Sequence, residues 1–203
     1  YDDVLNKQRE VIYADRRKVL SEENLREMIL DWVEQEIAQL VASVTAGEHA
    51  EEWDPTALVQ AFSGIVPNAG GLTADDLRDL TREEIQARLV EIAEAAYAEK
   101  EATLGPEVMR RVERAVLLRV IDSLWIRHLT AIDDLREGIG LRAYGQRDPL
   151  VEYKVEAAAM FDQLLATIQH DVSHLIYHVT VVREEQPRPQ KQMTTNREDT
   201  ESR

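Results

Sequence analysis

Cysteine is absent from the 203-residue chain, which excludes disulfides, thiolate nucleophiles and cysteine-held zinc. Glycine and proline are scarce, at 8 and 6 residues, and aromatic residues make up 5%. With 44% apolar and 31% charged side chains, collagen-like, low-complexity and wholly disordered classes are excluded as well. No apolar run approaches the roughly 20 residues that span a bilayer, and no basic-then-apolar leader opens the chain. Position 1 is Tyr rather than Met, so the sequence is expected to be a piece of a longer protein. It holds no internal repeat and no convincing strand pattern; Val179 to Val182 is β-branched but short and without a partner.

Catalytic constellations are missing too. No Gly-x-x-x-x-Gly-Lys run and no Gly-Lys pair exists, so a P-loop phosphate cradle is excluded. No Gly-x-Ser-x-Gly elbow occurs. Asp2-Asp3 and Asp133-Asp134 are adjacent on helical segments, point to different sides and cannot share a proton-transfer task. No catalytic, cofactor-binding or metal-binding residue is therefore assigned.

What is present is acid, and it is concentrated. The net charge is −15, and residues 21–105 carry −14 of it, with five basic and nineteen acidic side chains. Residues 1–20 sum to +1, 106–182 to −2 and 183–203 to zero. A surface as negative as that of 21–105 repels phosphate backbones and anionic headgroups, which argues against nucleic-acid or membrane binding there.

The apolar spacing is helical almost throughout, which predicts an all-α protein. Val4, Leu5, Val11, Ile12 and Val19 form an amphipathic helix over 1–20 with a basic flank at Arg16, Arg17 and Lys18. Ser21, followed by Glu22 and Glu23, is the expected N-cap of the next helix, whose stripe runs from Leu25 to Val44. Asp54-Pro55 opens a short helix to about Gly64. Residues 65–72 read as a loop from Pro67, Asn68, Gly70 and Gly71. Thr73 with Asp76, and Thr81 with Glu84, are capping boxes, the second opening a helix to Thr103. Leu104-Gly105-Pro106 breaks the chain.

One long helix is expected from Pro106 to about Arg136, with Leu117, Ile121, Leu124, His128, Ile132 and Leu135 along one face. Glycines at 138, 140 and 145 are expected to stop it. Asp148-Pro149 caps a second long helix to about His178, striped by Leu150, Tyr153, Ala157, Met160, Leu164, Ile168, Val172, Leu175 and Val179. Two long helices with a short connection predict an antiparallel hairpin. Residues 183–203, with Met193 as their one large apolar side chain, are expected to be disordered. The implied organisation is a first helix (1–20), an acidic helical unit (21–105), the hairpin (106–182) and a tail (183–203).

Two groups of residues invite a functional reading. His170, His174 and His178 recur every four residues, a spacing at which neighbours can chelate an ion. No carboxylate lies four residues from them on that face, which favours a solvent-facing or second-interface surface instead. At the hairpin tip, Ile139, Leu141 and Tyr144 sit among glycines with Arg142 and Arg147, where a simple turn would use polar residues. They form either a contact surface for another polypeptide or a docking point on the same protein. A tyrosine there suits grip without sequence choice, since its ring is apolar and its hydroxyl bonds to backbone. Trp125 and His128 fit a core position better than a cofactor contact.

Tyr1-Asp2-Asp3-Val4, Gln8-Arg9 and Ile12-Tyr13 resemble the end of the long scaffold helix of the SecA family of bacterial preprotein translocase motors. Asp122-Ser123-Leu124-Trp125, His128-Leu129, Leu135-Arg136, Gly138-Ile139, Leu141-Arg142, Tyr144, Gln146, Asp148-Pro149 and Glu152-Tyr153-Lys154 resemble that family's two-helix finger. The resemblance runs from about 1 to 180, with 21–105 in the place of the family's helical wing. It implies a non-catalytic part of an ATP- and magnesium-dependent motor whose nucleotide-binding domains lie upstream. That motor works at the cytoplasmic face of the bacterial plasma membrane, moving unfolded preproteins through the SecY channel. It further implies that Tyr144, with Leu141 and Ile139, contacts the moving polypeptide, and that Trp125 and Arg142 contact the motor domains. Many family members end in a cysteine- and histidine-containing zinc motif that binds the SecB chaperone and phospholipid. This tail has neither residue, so SecB and zinc are not carried over. The competing reading is a stand-alone adaptor that docks partners on its acidic face.

Overall fold

A computed structural model describes residues 1–21, 24–142, 145 and 148–182. Among them are six α-helices and no strand: α1 (Asp2–Ser21), α2 (Arg26–Val44), α3 (Pro55–Phe62), α4 (Arg82–Leu104), α5 (Pro106–Arg142) and α6 (Pro149–His178). Three short 3-10 turns lie between α2 and α4, at Ala50–Glu52, Pro67–Gly71 and Ala74–Leu77. The all-α expectation holds. The expected disorder of 183–203 falls outside the described residues.

Local chemistry sets most boundaries. Asp54 accepts a hydrogen bond from Ala57 N at 3.0 Å, with Pro55 at the first helical position of α3. Thr81 and Glu84 form the reciprocal box that opens α4, and Thr73 with Asp76 does the same for the 3-10 turn at Ala74–Leu77. Gly105 ends α4 at φ +88°, a conformation open to glycine, and Pro106 begins α5 at once. Asp148 accepts from Leu150 N at the start of α6.

Three expectations need correction. Ser21 caps nothing: it is the last residue of α1, and its hydroxyl bonds back to the Lys18 carbonyl. The start of α2 is served instead by Asn24, whose side-chain oxygen accepts from Arg26 N. Residues 65–72 are not a solvated loop. Ile65, Val66, Ala69 and Leu72 are buried, and Asn68, Ala69 and Gly70 make a left-handed turn with φ of +56°, +49° and +61°. Finally, α5 does not stop near Arg136 but passes through Gly138 and Gly140 to Arg142. Its 37 residues reach about 55 Å at 1.5 Å each. A glycine costs a helix roughly 1 kcal/mol relative to alanine, a deficit that burial of Ile139 against α6 outweighs.

The core runs through every helix. α2 buries Ile29, Val33, Ile37 and Val41, one residue per turn, between α4 and α6. α4 contributes Ile85, Leu89, Ala93 and Tyr97 at the same spacing. α5 is buried on several sides, at Met109, Val112, Val116, Leu117, Val120, Ile121 and Trp125, as expected for a helix with neighbours all round. Leu124, expected in that stripe, is only half-buried and yields its place to Trp125. On α6 the buried face is Tyr153, Ala157, Leu164, Ile168 and Val172, then widens to Ser173, Ile176 and Tyr177. Leu175 and Val179 are half-buried, and Leu150 is exposed. The shift follows from α4: Tyr177 donates to the Ala93 carbonyl at 2.8 Å and meets Tyr97 edge to face at 5.9 Å.

One buried ion group joins α4 to α5. Arg110 bridges Glu101 and the fully buried Glu113, which lies beside the Tyr97 phenol. Burial pushes the Glu113 carboxyl and the Tyr97 hydroxyl above their ordinary ranges, and Arg110 opposes that shift at both.

Candidate functional site

Among the described residues, α5 and α6 form the most extensive helix pair. Towards its turn it has a small core of its own, Ile132, Leu135 and Ile139 facing Tyr153 and Ala157, edged by Val4 and Leu5 of α1 and by Met160. The seam residues step by three and four, so each side chain meets its counterpart across the interface. Apolar burial holds this region, and it extends to within a turn of the α5 end.

α1 runs antiparallel to α5 and is tied to it along its length. Arg16 pairs with Asp122 at 3.0 Å and Arg136 with Asp2 at 3.1 Å, while Tyr1 packs edge to face on Tyr153 at 4.6 Å. The exposed pairs add little energy; the buried link matters more. Gln8 donates to the Ala157 carbonyl at 3.0 Å, and its side-chain oxygen lies 2.7 Å from His128 Nε2. Because the amide NH2 is committed to Ala157, its oxygen must accept, so His128 carries its proton on Nε2. One glutamine thus joins three helices. Burial lowers the His128 pKa, favouring the neutral ring. Trp125 stacks on His128 at 5.4 Å and is 6% exposed. The expectation that Trp125 sits in the core is met.

The distal end separates the expected tip residues. Ile139 is 2% exposed and belongs to the seam, which corrects its placement among surface-presenting residues. The cause is the continued helix: with α5 unbroken, position 139 faces α6. Leu141, two residues on, points away and is 78% exposed. Arg142 reaches across to Glu156 and stitches α5 to α6 where the turn begins. Tyr144 and Arg147 lie outside the described residues. The sequence stripe missed two further apolar side chains near the tip, Val151 and Val155, and placed a third, Leu150, on the seam; all three are exposed. Their signal was an apolar excess beyond one face, Val151 and Val155 being four apart and off the seam.

The histidine row is placed by α2. The rings of His170 and His174 are 4.0 Å apart and lie next to Glu36, a residue of another helix. His178 follows on the same side without joining that group. Among the described residues, no helix is long and apolar enough to cross a membrane.

Residues 1–180 match the family model of the SecA Wing and Scaffold domain. The chain is 46% identical over 198 residues to a protein translocase subunit SecA from Pelotomaculum thermopropionicum, covering 97% of this chain and 22% of that relative. It is 47% identical over 183 residues to the SecA subunit of Caldicellulosiruptor saccharolyticus, covering 89% and 21%. A third, from Dehalococcoides mccartyi, is 46% identical over 181 residues, covering 89% and 19%. The chain therefore spans about a fifth of the length of these relatives. By the family match over residues 1–180 and these relatives, the chain belongs to the SecA wing and scaffold family.

Proposed function

We propose that the chain is the transmission part of a protein-translocating ATPase: it carries motor movement to an unfolded polypeptide at a membrane channel of the SecY type. Nucleotide-binding domains elsewhere in the whole protein bind ATP with magnesium and supply the movement; this part performs no chemical step. Residues 1–20 end the scaffold, 21–105 form the acidic wing, and 106–182 form the finger. The whole motor works in the cytoplasm against the inner face of the membrane, with no nucleic acid involved.

The observation that carries the reading is the contrast at the end of the hairpin. Ile139 is buried in a seam that extends nearly to the turn, and Leu141 immediately beyond it is open to solvent. A lever transmits displacement only while its helices stay packed, and it grips only with side chains that its own packing does not consume. Leu141 and Tyr144 serve as the gripping pair. Arg142 keeps the tip aligned through Glu156, and Trp125 supports the finger base where the motor domains lie against it.

The test is Tyr144→Ala in the whole protein. The expected result is unchanged thermal stability and nucleotide turnover without polypeptide, together with a several-fold loss of translocation rate. Full translocation by that variant and by the Leu141→Ala, Tyr144→Ala double variant would overturn the grip.

A further inference from the structure

Glu36 of α2 sits at the α2–α6 interface with its side chain 10% exposed. A carboxylate so covered needs compensation. It receives two contacts from α6, with a third donor nearby. Gln169 Nε2 lies 3.2 Å from Oε1, His170 Nδ1 lies 3.1 Å from Oε2, and His174 stands beside them. One ligand atom from each of Glu36, His170 and His174 falls within a mutual 4.8 Å. Two imidazoles and a carboxylate are a complete set of three protein donors for a zinc-like ion, with a fourth position left to water.

The surroundings of these donors suit a metal ion. Ligating histidines generally donate their second ring N–H to a carbonyl, which fixes the tautomer and frees the other nitrogen. His174 does so: its Nδ1 is 2.7 Å from the His170 carbonyl, leaving the Nε2 lone pair free. The carboxylate is likewise oriented, by Gln169. Gly64, just past the end of α3, borders His174, since a Cβ there would stand 3.9 Å from His174 Nε2. At His170 the proton decides. With Nδ1 protonated, the 3.1 Å contact to Glu36 is a charge-assisted hydrogen bond. Without that proton, Nδ1 and Oε2 are two donors at a separation close to the roughly 3.3 Å between ligands of a tetrahedral ion with 2.0–2.1 Å bonds. The His174 donor lies within 4.8 Å of the other two, and its side chain turns toward them when the ion binds.

We propose that Glu36, His170 and His174 bind one divalent transition-metal ion, zinc by preference, which pins the wing helix α2 to the return helix α6 of the finger. Glu36 and His170 are 134 positions apart, so the ion closes a long loop between the two units whose relative position the hairpin depends on. The carboxylate that α6 lacks at four-residue spacing comes from Glu36, across the interface.

The test uses the chain without a histidine tag, stripped by chelator, titrated with zinc chloride by calorimetry and with cobalt by visible absorption. Expected are one zinc per chain, a cobalt spectrum of low coordination number, and a melting temperature raised by zinc. Glu36→Gln and His174→Gln each weaken zinc binding by about ten-fold or more, the scale on which even outer-shell partners act. His178→Gln leaves it unchanged. Melting curves in chelator show that each variant folds as the parent does, and where one does not, the other carries the comparison. Absence of saturable binding overturns the proposal. So does zinc held equally by the Glu36→Gln variant, which would leave only an exposed histidine pair, and so does loss of binding on changing His178.

Discussion

Ile139→Ala and Leu141→Ala, two positions apart on one helix, are expected to behave as opposites. Ile139 is 2% exposed in the distal seam, and Leu141 is 78% exposed. Truncating isoleucine to alanine removes three carbons, worth about 2.4 kcal/mol of transfer at ~0.8 kcal/mol each. A cavity adds to that, but the cluster around Ile139 is small and lies near the end of the hairpin, so it can partly collapse. The expected cost is about 2–3 kcal/mol. For a chain of this size it corresponds to a melting-temperature drop of about 4–12 °C if the loss is global. Because the distal hairpin has its own cluster, part of the loss should surface as local opening instead. Hydrogen exchange of the amides of residues 132–142, read beside a circular-dichroism melt, captures both forms. Leu141→Ala should change either by less than about 0.5 kcal/mol, as surface substitutions do. Equal costs at the two positions would refute the helical continuation through Gly138 and Gly140 on which the placement of the tip rests.

Other expectations follow from single residues. The His128 pKa is lowered by burial among Gln8, Trp125 and Phe161, so the unfolded chain takes up its proton first as pH falls. Stability due to His128 is therefore complete above about pH 6.5 and declines as pH drops toward the lowered folded value. The raised Glu113 carboxyl acts in the opposite sense, gaining stability on acidification, so the measurement is the difference between parent and His128→Gln in denaturant melts across pH 5–7. A difference that does not vary with pH would contradict the assignment. Gly70→Ala should destabilise by about 1–3 kcal/mol. Its φ is +61° and a Cβ there would collide with Ile92 Cγ2. Gly71→Ala, also left-handed but with open space around it, should lose only the backbone part, and urea melts separate the two.

The helical order was legible because its punctuation is chemical and local. Asp54-Pro55, Thr81 with Glu84, Gly105-Pro106 and Asp148-Pro149 each act within four residues, and each stands where the sequence put it. What was not legible required partners distant along the chain. Glycines 138 and 140 weaken a helix in isolation, and only the seam with Tyr153 and Ala157 explains why α5 persists. Residues 65–72 have loop composition, yet Ile65, Val66 and Ala69 are buried and a left-handed turn lies under Ile92. Trp125 displaced Leu124 from the stripe because α1 and His128 claim that side of α5. The site was half visible. Leu141 stood out as an apolar residue with no business in a turn, whereas Val151 and Val155 were hidden within an otherwise ordinary apolar helix. Glu36 could not be connected to His170 from spacing at all, since α2 and α6 meet only in the fold.

The most direct measurement places a single cysteine at the tip of the whole motor, made otherwise cysteine-free, and asks what it touches during transport. Photo-crosslinking or disulfide capture from Leu141→Cys and Tyr144→Cys should trap the translocating polypeptide whenever nucleotide turns over. Ile139→Cys, in the seam, should not. Capture from position 139 as strong as from 141 and 144, or a polypeptide trapped from none of them, would contradict a packed lever with a free gripping end.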